Sequence, residues 1–419
     1  MSPSGNRIFY GWWLLAASAL IGLFAGGTFI YGITVIIKPV VSELGWSYEG
    51  ISLSFYLTGL LGALLMPLLG GLVDRFGSRP LLIGAGLMTA AGFIVLSFAD
   101  SITIFYIAFA IITVGGSAIG SVSIQPVLGN WFHRRMALAM GIFLSGVGLG
   151  ALLVGPFNWL VMTLDWHRAA LVVGIATAVV IPGLALLLRQ SPEKYGWRPD
   201  GAAAPSAEAA EQGVDGIVVA PPSTGLTGRQ ALRTRTFWLL ALVGSASFLA
   251  YNAEVIHIMP FLLSVDIDPA QAALVATFMP VLSVLGRLGS GWLGDRYPRR
   301  DIYIVAMFLQ ATGMGLLLLP PSGWSFALFV AVYGTGIGAG IVMAPAMMRE
   351  RFGRGSFGLI QGCMLGATAV VGGVGPVLAG RIFDDTSSFA WAWAAFAVIN
   401  LAGMACLLFI PRREGNGFA

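Results

Sequence analysis

Charge is scarce in this chain. Of its 419 residues only 10% are Asp, Glu, Lys or Arg, against about 25% in an ordinary soluble domain. With 57% of the residues apolar, the shortage excludes a water-soluble fold with a modest core, and it excludes a disordered chain. Cysteine and histidine are scarcer still. Cys363 and Cys406 fall in apolar stretches, and His133, His167 and His257 are scattered, so neither a disulfide framework nor a metal-ligand spacing can be assembled from them. The 57 glycines follow no three-residue period, which excludes a collagen-like chain. Strand-length alternation does not recur, which excludes a membrane β-barrel. Gly115-Gly116 and the glycine run Gly334–Gly340 lack a preceding strand and a Walker lysine, so no nucleotide loop, enzyme chemistry, metal or cofactor is expected.

What the chain does have is long apolar runs. A bilayer core about 30 Å thick needs about 20 apolar residues per helix, and twelve such stretches fit: 10–37, 50–72, 80–99, 102–128, 136–162, 167–188, 236–263, 270–292, 302–320, 324–347, 355–380 and 388–410. The expected fold class is therefore all-α, a polytopic membrane protein with the lipid bilayer as its solvent. The start, MSPSGNRIFYGWW, runs into the first stretch without a small-residue cleavage box, so that helix is expected to be retained. With the N-terminus inside, every Lys and Arg but four falls on the inner face; Lys38, Arg168 and Arg381 lie at or near outer ends, and Arg287 lies within a span. That bias places both termini in the cytoplasm. It also accounts for the basic clusters without any nucleic-acid partner.

Residues 190–235 interrupt the hydrophobic pattern. Their Ala-, Pro-, Gly- and Glu-rich middle has little to bury and reads as a cytoplasmic linker. It divides the chain into 1–189 and 236–419, six spans each. The halves repeat: Gly70-Gly71-Leu72-Val73-Asp74-Arg75-Phe76-Gly77-Ser78-Arg79 lies between spans two and three, and Gly291-Trp292-Leu293-Gly294-Asp295-Arg296-Tyr297-Pro298-Arg299-Arg300 between spans eight and nine. Together with twelve spans and a central loop, these strings resemble the signature of the major facilitator superfamily across essentially the whole chain. The resemblance implies two six-helix bundles rocking around one central site. The glycines permit close helix approach. Asp74, Arg75, Arg79, Asp295, Arg296 and Arg300 are then candidate gating residues, forming charge-assisted contacts at helix ends that hold one conformation and break in the other.

Finer strings resemble the branch of monocarboxylate transporters and oxalate/formate antiporters. They are Tyr10-Gly11-Trp12-Trp13, Leu44-Gly45-Trp46-Ser47, the run Trp131–Gly141, and Ala231-Leu232-Arg233-Thr234-Arg235-Thr236-Phe237-Trp238. In that branch the eighth helix carries an anion-binding arginine, and Gly286-Arg287-Leu288 matches it. A guanidinium can hold a carboxylate with two parallel hydrogen bonds. The other reading of Arg287 is snorkelling, since it stands about 12 Å of helix rise before Asp295. The chain departs from the family in three places. Ser283 stands where animal monocarboxylate transporters carry an aspartate, Tyr31 where they carry a lysine, and Ser356–Gly380 lacks the lysine of oxalate-binding members. One cavity cation favours a substrate with one carboxylate, because a dianion would leave a charge unpaired.

Span seven offers a protonatable pair. Glu254 and His257 lie three apart with Tyr251 one turn earlier, just before Pro260, where the helix is expected to kink or break. Burial favours the protonated form of a carboxyl, so Glu254 and His257 are the proton-coupling candidates. A locking salt bridge or an outward-snorkelling acid is the alternative for Glu254, and a hydrogen-bonded histidine at the kink is the alternative for His257. Tyr31, Ser117, Ser121, Tyr333 and Gln361 join Arg287 as substrate-binding candidates, with Ser117, Ser121 and Gln125 expected to share a face at four-residue spacing. The expected function is uptake of a small organic anion, a monocarboxylate, with a proton across a bacterial inner membrane by a monomeric carrier. Anion exchange of the formate/oxalate type, transport of a larger organic metabolite, and a transporter-like membrane sensor are the alternatives.

Overall fold

A computed structural model describes residues 9–201, 225–320 and 322–412. The chain start and most of the linker's middle, for which the sequence sets expectations above, lie outside the described residues. Twelve helical spans follow one another: α1 Tyr10–Leu44, α2 Tyr48–Phe76, α3 Ser78–Leu96, α4 Ile102–Trp131, α5 Met136–Leu164 and α6 Trp166–Ala185, then α7 Arg235–Ser264, α8 Pro269–Gly294, α9 Arg299–Leu316, α10 Gly323–Phe352, α11 Phe357–Thr386 and α12 Ala390–Leu408. Eleven of these are long and apolar enough to cross a bilayer. The twelfth, α9, is a span of 18 residues that opens on Arg299-Arg300-Asp301. Helix is the required form here, because a backbone in hydrocarbon must satisfy its own polar groups. Leu64, Leu152, Met162 and Val179 are exposed on the outside of the bundle, a lipid-facing surface rather than an aqueous one.

Side-chain caps start several spans. Ser47, Ser101, Thr234, Asp268 and Ser322 accept first-turn amides of α2, α4, α7, α8 and α10, groups that have no partner within the helix. α2 stays helical through Asp74, Arg75 and Phe76, and Gly77, at φ +86°, is the whole turn into α3. Asp74 and Arg75 thus belong to a last helical turn, not to a loop.

The breaks fall elsewhere than proline suggested. α7 stays helical through Pro260, so the helix is not broken there. Instead α1 passes from α to π over Gly26–Ile30 and to 3-10 over Gly32–Ile36, and α5 turns 3-10 over Gly150–Leu153. These irregular stretches pack on each other: a Cβ on Gly26 would stand 2.3 Å from the Val147 carbonyl, and one on Gly150 2.6 Å from the Gly27 amide. α4 breaks at Gly120, whose backbone is extended. Ser117 and Ser121 therefore lie on either side of a break, and the expected single face does not form.

The two halves meet along two seams, α2 against α11 and α5 against α8. Both are backbone contacts that only glycine permits. A Cβ on Gly70 would lie 2.1 Å from the Gly358 carbonyl and one on Gly362 2.2 Å from that of Met66; in the other seam, Gly141 meets the Arg287 carbonyl at 2.5 Å and Gly291 that of Ala137 at 2.8 Å.

Candidate functional site

The seams close at the end bearing the two Asp-Arg turns. Asp74 accepts the Gly358 and Leu359 amides at 2.9 and 2.8 Å, and Asp295 accepts those of Ala137 and Leu138 at 2.8 and 3.0 Å. Each carboxylate caps the first turn of a helix in the other half, where partner-less N–H groups and the helix dipole favour negative charge. Asp295 is the more buried, with a side chain 8% exposed and Arg299 at 3.9 Å. Burial pushes its carboxyl up to about 6, although both amides and Arg299 pull the other way.

The arginines of the two turns do not cross between the halves in this conformation. Arg75 lies over the ring of Phe76, and Arg296 over that of Trp292 while donating to the Trp292 carbonyl. Arg300 donates to the carbonyls of Leu407 and Leu408 at the end of α12, within its own half. Arg79 is exposed. At this end Arg349 on α10 does cross: only 6% exposed, it donates to the Gly129 carbonyl at 2.9 Å and to Asn130 Oδ1 at 2.8 Å. Arg354 reinforces it by reaching Asn130 and Glu193. Sequence reasoning counted both arginines only as inside-positive charge, and nothing in their neighbourhood distinguishes them from the rest of that set.

A second polar group lies deeper. Arg287 on α8 is 7% exposed. Its Nη1 donates to the Leu144 carbonyl on α5, and its Nε has no partner among the described residues. Tyr31 and Tyr251 are within its electrostatic reach. Glu254 on α7 is 1% exposed, and its Oε2 is likewise without a partner. Neither Glu254 nor Arg287 appears in an ion pair among the described residues. Tyr251 is within electrostatic reach of both, and Tyr333 on α10, fully buried with a hydroxyl that has no partner among the described residues, is within reach of Glu254 and Tyr251. Tyr31 reaches this group because it stands where the π turn of α1 gives way to the 3-10 turn.

Arg287, Tyr31, Tyr251, Glu254 and Tyr333 are therefore brought together from four spans. The remaining candidates stand apart. His257 meets the Pro376 carbonyl on α11 at 2.9 Å and lies against the ring of Phe389, an α7–α11 contact. Gln361 is one turn into α11 beside the seam glycines Gly358 and Gly362, with a partner-less Oε1. Ser117 lies against Gly62 of α2. Among the described residues no cluster of His, Cys, Asp or Glu forms a metal site. The arrangement is suited to binding, with one cation, one carboxyl without a counter-ion among the described residues, and three phenols. Partner-less buried polar atoms of this kind mark a place where water or a ligand completes the hydrogen bonding.

The family model described as the Major Facilitator Superfamily matches residues 19–266 and 255–418. Among curated proteins, this chain is 28% identical to monocarboxylate transporter 13 of Bos taurus over 82% of this chain and 76% of that protein. It is also 28% identical to monocarboxylate transporter 11 of Mus musculus, over 96% of this chain and 88% of that one. Solved structures share the fold at low identity. The E. coli fucose:proton symporter FucP superposes with a TM-score of 0.74 at 12% identity, covering 97% of this chain and 100% of that one. The proton:xylose symporter XylE gives 0.75 at 14%, covering 97% of each.

Proposed function

The chain belongs to the Major Facilitator Superfamily, and from that premise we propose that it is a secondary transporter carrying a monocarboxylate together with a proton, one central site being exposed alternately to the two faces of the membrane. The six-helix bundles 1–189 and 236–419 are the moving halves, the linker 190–235 and both termini are cytoplasmic, and the membrane is a bacterial inner membrane. On this reading the end closed by Asp74 and Asp295 is the cytoplasmic one.

The observation that carries this reading is Arg287: a buried cation with, among the described residues, no carboxylate counter-ion and an unused Nε. A buried charge is tolerated when it is paired and hydrogen-bonded, and an entering carboxylate supplies the missing charge. Glu254 supports the proton half of the reading. Burying an unpaired carboxylate costs far more than burying a neutral acid, and the absence of an Arg287–Glu254 pair leaves the acid to a proton rather than to a salt bridge. That the curated relatives are named monocarboxylate transporters agrees with the substrate class.

The test is uptake by purified protein in liposomes under an inward proton gradient, across labelled lactate, pyruvate, formate, oxalate and an aromatic monoacid. A monoacid is expected to accumulate with the gradient. Arg287→Gln should abolish that accumulation, and Glu254→Gln should abolish it while sparing exchange of the same acid across the membrane. Accumulation by Arg287→Gln equal to the parent would remove the carboxylate assignment. Exchange without gradient-driven uptake in the parent would replace symport by antiport.

A further inference from the structure

The two seams are copies of one contact. Gly70 packs on the Gly358 carbonyl as Gly291 packs on that of Ala137, and Gly362 on the Met66 carbonyl as Gly141 on that of Arg287. This register makes Met66 the counterpart of Arg287, Ala369 that of Gly148, and Leu365 that of Leu144. The copies differ in residue at each of these positions except the leucine. In the α2–α11 seam the Leu365 carbonyl accepts the Thr368 hydroxyl of its own helix at 3.0 Å. In the α5–α8 seam the Leu144 carbonyl accepts Nη1 of Arg287 from the opposite half. A Cβ at position 148 would stand 2.3 Å from that same Nη1, so only glycine leaves the guanidinium its place.

We propose that Gly148 and the Leu144 carbonyl are the seat that positions Arg287, presenting its Nε–Nη2 edge to the substrate carboxylate and tying the anion's site to the α5–α8 seam. The inference rests on the reading of Arg287 as the anion's partner. A carbonyl seat suits that task because it orients the cation without neutralising it, so the charge is kept for the substrate. When α5 and α8 part, the Nη1 bond between the halves must break. A carboxylate already held on the other edge then satisfies the guanidinium, so anion occupancy favours parting. This is a coupling between binding and conformation through one side chain.

The test measures both sides of that coupling. Spin labels at Phe76→Cys and Tyr297→Cys, both exposed at the closed end, report the separation of the halves in full-length protein with Cys363→Ser and Cys406→Ser. Binding of labelled lactate and pyruvate reports the site. Loss of a hydrogen bond to a charged group corresponds to on the order of 10–100-fold in an equilibrium. Gly148→Ala should therefore weaken anion binding, and shift the ligand-free closed:open ratio toward open, by about that factor. Gly155→Ala, where a Cβ meets nothing within 4 Å, should change neither. The double variant Arg287→Met with Gly148→Ala copies the other seam; it should fold and bind no anion, and, lacking the same Nη1 bond, its ligand-free closed:open ratio should shift toward open as in Gly148→Ala. Parental binding and parental label distances in Gly148→Ala, with binding lost in Arg287→Met, would overturn the seat and leave the function reading intact. Parental binding in Arg287→Met would instead remove the reading on which it rests, while the ligand-free distances still decide whether the bond ties the halves.

Discussion

Acid should close the gate at Asp295, although the gate is made by a carboxylate. In the closed conformation burial holds this carboxyl at about 6, with Arg299 at 3.9 Å and Asp200 also acting on it. Glu350 is engaged by the same Arg299. Once α5 and α8 separate, Asp295 meets water and returns to an ordinary aspartate value of about 3.9. Between those values the closed form binds the extra proton, so the closed:open ratio rises as pH falls from about 6 to about 4 and is insensitive to this group above 6. The difference of about two pH units corresponds to about 3 kcal/mol at most. Between pH 7.5 and pH 5 it amounts to about a tenfold gain in the closed:open ratio. The assay is the distance distribution between labels at Phe76→Cys and Tyr297→Cys, taken from pH 8 to pH 5 for the parent and for Asp295→Asn, which cannot titrate. Other groups titrate alike in both proteins, so the difference between the two curves isolates Asp295. The closed fraction of the parent should rise with acid relative to Asp295→Asn. Coincident curves, or a parent that opens relative to the variant as pH falls, would refute the reasoning.

The same labels test the rest of the gate. Gly70→Val would drive a side chain into the Gly358 carbonyl, 2.1 Å from its Cβ; the short-distance population should nearly vanish, whereas Gly59→Ala, open to space, should be silent. Arg349→Ala removes donors to Gly129 and Asn130, costing about 1.5–3 kcal/mol of closure, seen as at least a tenfold loss of the closed state at pH 7.5. Within the C-terminal half, Gln310 accepts the Ser247 hydroxyl at 2.7 Å and donates to the Gly336 carbonyl at 3.2 Å. Gln310→Leu leaves both partners bare and should lower stability by about 1–3 kcal/mol, measured as a fall in Tm in detergent with no change in label distances.

Much of the molecule is legible in its sequence because the bilayer allows so few solutions. Long apolar runs must be helices, and the repeated Gly-x-x-x-Asp-Arg and Gly-x-x-Gly-Asp-Arg strings announce two related halves. One arginine amid uncharged residues stands out as a candidate because burying it is expensive. What the sequence could not decide is which groups meet. Spacing placed Glu254 and His257 on one face, but packing took His257 to the Pro376 carbonyl on α11 and left Glu254 within electrostatic reach of Tyr251 and Tyr333. Proline marked Pro260 for a kink or break, yet α7 stays helical there, whereas the regular α-helix is lost where Gly26, Gly27 and Gly150 let α1 and α5 touch backbone to backbone. Arg349 was one basic residue among many until the fold buried it against the end of α4. Periodicity and composition record how each helix meets its solvent, a property of the segment alone. The gate, the seat of Arg287 and the separation of Arg287 from Glu254 depend on distances between segments hundreds of residues apart, and only the packed bundle sets those.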